Sequence, residues 1–231
     1  MKIRFWMAAA CLAMAPAVQA EEIAQGVFVQ GEGRVSVAPD QAIINLGVRE
    51  RAKTAQAAMD AMAQSVSGIL AALEAQGIDA ADQQTSRFYL NPIYNEARLD
   101  QGRQITGYEA GNAVTVTVRD LAGLGPILDA VIATGANDFN GLTFGLQDDS
   151  AAVEEARKAA VADAMMRARV LAEAAGLELG EVLRLSDGAS GAGPVHMGMA
   201  DARVSMESAI APGEVDVSAR ITMVFAFTAK E

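Results

Sequence analysis

Cysteine and histidine are almost absent from this 231-residue chain, which contains one of each, Cys11 and His196. With a single imidazole, one chain cannot assemble the usual zinc sites made of histidine and cysteine. No nucleophile-elbow pattern occurs that could join His196 in a Ser-His-Asp triad. We therefore expect a protein with no catalytic residues and no cofactor, and not an enzyme.

Positive charge is also scarce, with 18 lysines and arginines against 29 acidic residues and a net charge of −11. Nucleic acids and anionic lipid surfaces are bound through basic patches. Beyond the N-terminus, no apolar run approaches the roughly 20 residues that cross a bilayer. The composition therefore excludes nucleic acid as an expected partner, and it predicts no stable membrane insertion.

The N-terminus has the three-part pattern of a secretory signal peptide. Lys2 and Arg4 precede an apolar run over residues 5–15, and Val18-Gln19-Ala20 offers small residues where a signal peptidase cuts. We predict cleavage after Ala20, a periplasmic location and one domain over residues 21–231. The only cysteine leaves with the signal, so this domain has no disulfide and relies on a packed core.

Apolar and polar residues alternate over 108–118, 44–48 and 215–227. A period of two indicates strands with one buried and one exposed face, typical of antiparallel sheets. Val35 and Val37 have the opposite parity to the strand that follows, which predicts a bend or turn at Pro39-Asp40. Shorter strands are predicted over 84–90, 141–147 and 181–186.

Three helices are predicted, over 54–76, 121–134 and 150–175, from apolar residues spaced three and four apart. Gly77 and Gly135 follow the first two and are typical helix stops, and Ser150 is the expected cap of the third. The stripe of the third helix is expected to pack on a sheet within the subunit, or otherwise at a subunit interface. It consists of Val153, Ala156, Ala160, Ala164, Ala168, Leu171 and Ala175.

These elements predict an α+β fold in which two strand–helix–strand modules form a largely antiparallel sheet packed by about three helices. The long helix 150–175 and a C-terminal strand complete it. A glycine-rich surface loop is expected over about 187–213. Gly31-Glu32-Gly33 opens a strand rather than a helix, so we interpret it as a bulge or edge bend and not as a phosphate loop.

Several short motifs occur in a characteristic order and spacing: Gly31-Glu32-Gly33, Ala38-Pro39-Asp40, Tyr89-Leu90-Asn91-Pro92-Ile93-Tyr94, Ile105-Thr106-Gly107-Tyr108, Gly135-Ala136-Asn137 and Pro212-Gly213-Glu214-Val215. With them the chain resembles the SIMPL-domain family of Gram-negative bacteria. The resemblance implies an exported α+β protein, large homo-oligomers, contacts with other envelope proteins and a link to oxidative or envelope stress. It implies no catalytic residue.

Two sets of residues are candidates for a site. His196, Met197 and Met199 offer imidazole and thioether ligands that suit Cu(I), although methionine is common in this chain and a flexible loop loses entropy when it forms a site. Tyr89, Tyr94 and Tyr108 could form an aromatic interface, or could equally be part of half-buried strands. The favoured hypothesis is a non-enzymatic periplasmic protein that self-associates, and the alternative is a copper or small-ligand binding protein.

Overall fold

A computed structural model describes residues 26–95, 103–188, 190–193 and 210–230. In this part of the chain, the α+β class and the antiparallel pairing are confirmed. The elements are β1 (Val27–Val37), β2 (Gln41–Ala52), α1 (Ala55–Ala75), β3 (Gln83–Tyr94), β4 (Ile105–Val118), α2 (Leu124–Ala133), β5 (Asp138–Gly145), α3 (Ser150–Ala174), β6 (Leu177–Asp187), β7 (Gly191–Gly193) and β8 (Val215–Ala229).

The first structural unit comprises residues 41–145. Its sheet has the order β3-β4-β2-β5, with every neighbouring pair antiparallel. The chain runs through it as β2-α1-β3 and β4-α2-β5, which are the two predicted strand–helix–strand modules. Two such modules interleaved in one sheet form a ferredoxin-like arrangement.

The second unit consists of β1, α3, β6, β7 and β8. β8 is the central strand, with β1 on one side and β6 on the other, and β7 pairs with β8 as well. The first unit is therefore inserted between β1 and α3 of the second. The predicted turn at Pro39-Asp40 is confirmed, and it is the point at which the chain leaves one sheet for the other.

Each unit has its own apolar core. In the first, the alternating residues of β2 and β4 face α1 and α2, as their period of two predicts. In the second, β1 and β8 face α3. The buried strand residues of the first core are Ala42, Ile44, Leu46, Val48, Ala110, Val114, Val116 and Val118.

The alanines of α3 lie against the second sheet, which confirms helix-to-sheet packing within the subunit. Ala156, Ala160, Ala164, Ala168 and Ala172 are buried. The prediction was wrong for the C-terminal end of the stripe, because Leu171 is 52% exposed and Ala175 is also exposed. Every fourth residue of α3 from Ala156 onward faces the sheet. The buried stripe therefore ends at Ala172 and does not include Leu171 or Ala175.

Gly31 and Gly33 form no bulge, which corrects the interpretation made from the sequence. β1 pairs with β8 without interruption through both glycines. A Cβ atom at Gly31 would lie 2.6 Å from the backbone nitrogen of Ala164, and one at Gly33 would overlap the carbonyl oxygen of Ala156. The two glycines allow α3 to lie directly on the strand.

Helix termini agree with the predictions at α1 and differ at α3. Thr54 caps α1 by accepting a hydrogen bond at Oγ1 from Ala57 N at 3.2 Å, and Gly77 ends it with a φ of +82°. Ser150 is not the cap of α3. The cap position is Asp149, and the Ser150 backbone donates instead to Asp148 Oδ1 at 2.9 Å.

The glycine-rich segment is not entirely a loop. Gly191–Gly193 forms β7, which pairs with β8, and Ile210 contacts the first core. The predicted shorter strands are also placed differently, at Gln83–Tyr94, Asp138–Gly145 and Leu177–Asp187. The first and last are longer than predicted because β4 and β8 continue to pair with them beyond the apolar residues.

Candidate interaction surface

The three tyrosines proposed as an interface do not form one surface. Tyr89 and Tyr94 are five residues apart on β3 and therefore point to opposite faces of the sheet. Tyr108 lies opposite Pro92 and is half-buried against the first core. The Arg103 guanidinium lies over the Tyr94 ring, 4.5 Å from its centroid. Tyr94 is thus the one that lies in an exposed apolar surface.

That surface, here called the β3 patch, consists of Phe88, Leu90 and Tyr94 of β3 with Ile105 of β4. The exposed fractions of these residues are 59%, 39%, 41% and 51%. They lie on the helix side of the sheet, but β3 is an edge strand and α1 packs mainly on β2 and β4. The apolar side of β3 is therefore exposed to solvent along the edge of the sheet.

Phe88, Leu90 and Ile105 were missed at the sequence level. The signal that could have found them is the period-two recurrence of apolar residues at 88, 90, 92 and 94. The same pattern also predicts a strand whose apolar face is buried in the core. Only the position of α1 decides whether that face of β3 is buried or exposed.

The opposite, helix-free face of the same sheet carries a paired polar network. The Tyr89 ring occupies the space over Gly111 of the neighbouring strand. Tyr89 Oη donates to Glu109 Oε1 at 3.1 Å, and Arg51 Nε donates to Glu109 Oε2 at 2.7 Å. Arg49 forms an ion pair with Asp138 beside them.

The protonation states of this network are fixed near neutral pH. The hydrogen bond from Arg51 holds the pKa of Glu109 below its ordinary value, and that from Arg49 does the same for the pKa of Asp138. Burial, followed by the hydrogen bond with Glu109, raises the pKa of Tyr89. At pH 7 both carboxylates are therefore ionised and the phenol is protonated.

A second polar surface lies beside α3, in an open cleft of about 390 Å³ lined by Glu32, Arg34, Asp163, Arg167 and Arg220 among others. The backbone N–H of Glu32 donates to Asp163 Oδ2 at 2.8 Å, and it is the first cause of the lowered pKa of Asp163. Because β1 is an edge strand, Asp163 blocks pairing of another strand at this point. Asp163 therefore occupies one backbone donor of this exposed edge.

The remaining candidates of the sequence analysis cannot be placed. His196, Met197, Met199 and the predicted signal over residues 1–20 lie outside the described residues. Within the described ranges, no three His, Cys, Asp or Glu side chains are grouped so that they could hold a metal ion. No helix in those ranges is both long and apolar enough to span a membrane.

Residues 27–225 match the SIMPL family, described as "Protein of unknown function (DUF541)". The 26 kDa periplasmic immunogenic protein of Brucella melitensis is 36% identical over 208 residues, which cover 86% of this chain and 83% of the relative. The protein YggE of Edwardsiella ictaluri is 32% identical, covering 73% and 71%, and that of Escherichia coli K12 is 30% identical, covering 72% and 68%. The chain belongs to the SIMPL family.

Proposed function

We propose that this chain is a non-enzymatic protein of the periplasm that works through contacts between its own copies, made first by the β3 patch. The location is supported by the predicted signal over residues 1–20 and by relatives whose names call them periplasmic. A protective role in oxidative or envelope stress and contacts with other envelope proteins belong to the same proposal. These two parts rest on the family resemblance.

The observation that carries self-association is the exposure of the β3 patch. Large apolar side chains that adjoin on a monomer's surface mark contact sites, whereas single ones are ordinary. Phe88 and Leu90 are neighbours on one face of β3, and Ile105 lies opposite Tyr94 on β4. Contact with a second copy would remove all four from water, which is favourable by about 25 cal/mol for each Å² of apolar area.

The contact is expected to use side chains rather than backbone pairing. Pro92 lies in the middle of the patch and has no N–H to donate, and proline in a sheet is found where its nitrogen faces away from the ladder. β3 also has a bulge between Thr85 and Arg87. Both features disfavour addition of a strand to this edge.

The absence of enzymatic activity is supported by the chemistry of the described polar groups. The acids whose pKa values shift are carboxylates that accept from arginine, lysine, serine or backbone donors, and in each the pKa is lowered, as for Glu109, Asp138, Asp148 and Asp163. Such carboxylates are held ionised, whereas a general acid or base has a pKa near the working pH.

Sedimentation velocity of residues 21–231 tests the proposal. Wild type is expected to sediment as an oligomer. Phe88→Glu is expected to raise the dissociation constant of that oligomer at least about tenfold, because a carboxylate would be desolvated in the contact. Gln84→Glu adds the same charge to an exposed position of the same strand outside the patch. This control should sediment as wild type.

A wild-type chain that remains a monomer at high concentration would remove self-association. An oligomer that resists both Phe88→Glu and Leu90→Glu would show that another surface makes the contact. Turnover of any substrate by the purified chain would contradict the non-enzymatic assignment.

A further inference from the structure

The chain passes between the two units at two places, residues 38–40 and 146–149, and these crossings lie side by side. Gln41 and Gly145, the first and last residues of the first unit, are paired. Asp40 N donates to the Gly145 carbonyl oxygen at 3.1 Å. Both covalent connections therefore run through one small region.

Asp40 and Gln147 bind each other across this region through two hydrogen bonds. Gln147 N donates to Asp40 Oδ1 at 2.7 Å, and Gln147 Nε2 donates to the Asp40 carbonyl oxygen at 2.9 Å. Gln41 Nε2 adds a bond to the Leu146 carbonyl oxygen at 2.6 Å. Asp40 and Gln147 are exposed to solvent, so these bonds compete with water and can open without unfolding a core.

In the part of the chain that the structure describes, few other contacts join the two units, and Leu146 of the second crossing packs against the second core. Among the described residues, no helix or strand of the first unit packs extensively against one of the second. Ile210, just before β8, contacts the first core and is a single half-buried side chain. Few connections, close together and with no large packed interface, are the conditions under which two units rotate as rigid bodies.

We propose that residues 38–40 and 146–149 form a hinge, and that the Asp40–Gln147 pair is the latch that fixes the angle between the two units. Pro39 has a restricted φ, so the first crossing turns mainly at Ala38 and Asp40, while the second turns at the same time about residues 146–149. When both Asp40–Gln147 hydrogen bonds are formed, the two crossings keep a fixed position relative to each other. When Asp40 Oδ1 is lost, the Gln147 backbone N–H loses its acceptor and only the bonds from Nε2 to the Asp40 and Arg119 carbonyl oxygens remain, so the angle varies more widely. The proposal concerns the single chain and does not depend on self-association.

Pulsed electron paramagnetic resonance between spin labels on the two units tests the latch. Residues 21–231 contain no cysteine, so Asp129→Cys on α2 and Arg169→Cys on α3 provide two labelling sites, both exposed. An excess of unlabelled chain suppresses distances between copies. Asp40→Ala should broaden the distance distribution by about twofold, since a hinge samples a range of angles once its restraint is lost. Asp40→Asn keeps Oδ1 as an acceptor and should give the wild-type width.

A label pair within the first unit, Asp129→Cys with Gln84→Cys, provides the control and should keep its width in every variant. An unchanged width between units in Asp40→Ala would overturn the latch. So would equal broadening within and between units, because that would indicate a loosened fold. If Asp40→Ala fails to fold, Gln147→Ala removes the bond from Nε2 to the Asp40 carbonyl and must broaden the same distribution, or the proposal falls.

Discussion

Gly33 of β1 and Ala156 of α3 are in direct backbone contact, since a Cβ atom at Gly33 would overlap the Ala156 carbonyl oxygen. Gly31 stands in the same relation to Ala160 one turn further along the helix. The alanines of α3 complete the contact, because a larger residue would lift the helix from the strand. The second core therefore depends on small residues from both partners.

Gly33→Ala is predicted to destabilise the chain. The added methyl group must displace α3 or distort β1, and overpacking of this kind costs about 1–3 kcal/mol. Urea denaturation followed by circular dichroism measures the free energy of unfolding.

Gly125→Ala is the matched control for that change. A Cβ atom at Gly125 meets nothing within 4 Å, and the position is exposed in the first turn of α2, directly before Pro126. The substitution should therefore change the free energy of unfolding by no more than about 0.5 kcal/mol. Equal effects of the two substitutions would contradict the contact described for Gly33.

The ion pair of Arg51 with Glu109 is predicted to stabilise the fold only above acidic pH. The pKa of Glu109 is lowered from its ordinary value of 4.5, first by the hydrogen bond from Arg51. Its contribution is therefore complete above the ordinary value and is lost as the pH falls through the lowered one. Because Arg51 is largely exposed, Glu109→Gln should cost only about 0.5–1 kcal/mol at pH 7.

Denaturation of wild type and Glu109→Gln at neutral pH and at about pH 2 measures this difference, which should disappear at the lower pH. Asp129→Asn removes a carboxylate from an exposed helix position and serves as the control. A difference that grows as the pH falls would contradict the sign of the pKa shift.

Loss of the cap of α1 is predicted to weaken the first unit. Thr54→Ala removes the hydroxyl that accepts from Ala57 N and should cost about 1 kcal/mol of unfolding free energy. Thr54→Ser keeps the acceptor and should remain within a few tenths of a kcal/mol of wild type. Thermal or urea unfolding distinguishes the two, and an equal loss in both would show that the methyl group and not the hydroxyl is needed.

Self-association through the β3 patch is predicted to survive high salt. The patch is apolar, and 1 M NaCl screens ion pairs at distances beyond about 3 Å without weakening apolar contacts. Sedimentation at 0.1 M and 1 M NaCl should therefore give the same oligomer. Dissociation at 1 M would indicate that charged surfaces, such as the cleft around Arg220, make the contact.

Most helices and strands could be predicted from the sequence because their periods are local properties. α1 was predicted over 54–76 and lies at Ala55–Ala75, with its glycine stop in place. The insertion of one unit into another could not be predicted, because it depends on the pairing of β1 with β8, whose residues are far apart in sequence. Hydrophobic period says which face of a strand is apolar and not which strand lies beside it.

The candidate surface was predicted only in part, for a related reason. Tyr94 was identified, but Phe88 and Leu90 were not. Apolar residues with a period of two occur both on strands that face the core and on strands whose apolar side is exposed. Gly31 and Gly33 were misinterpreted in the same way. A glycine in a strand favours a bulge or the close approach of another backbone, and the approaching segment, α3, begins more than a hundred residues later.

The insertion of residues 41–145 between β1 and α3 has a consequence for the order of folding. β1 emerges early, yet its partner β8 is the final strand, with Val27 opposite Phe225. The inserted unit contains all of its own strand partners and can fold without any strand of the second unit. β1 cannot pair until β8 is present, so we expect the second sheet to close late and slowly, because this contact joins residues that are far apart in sequence.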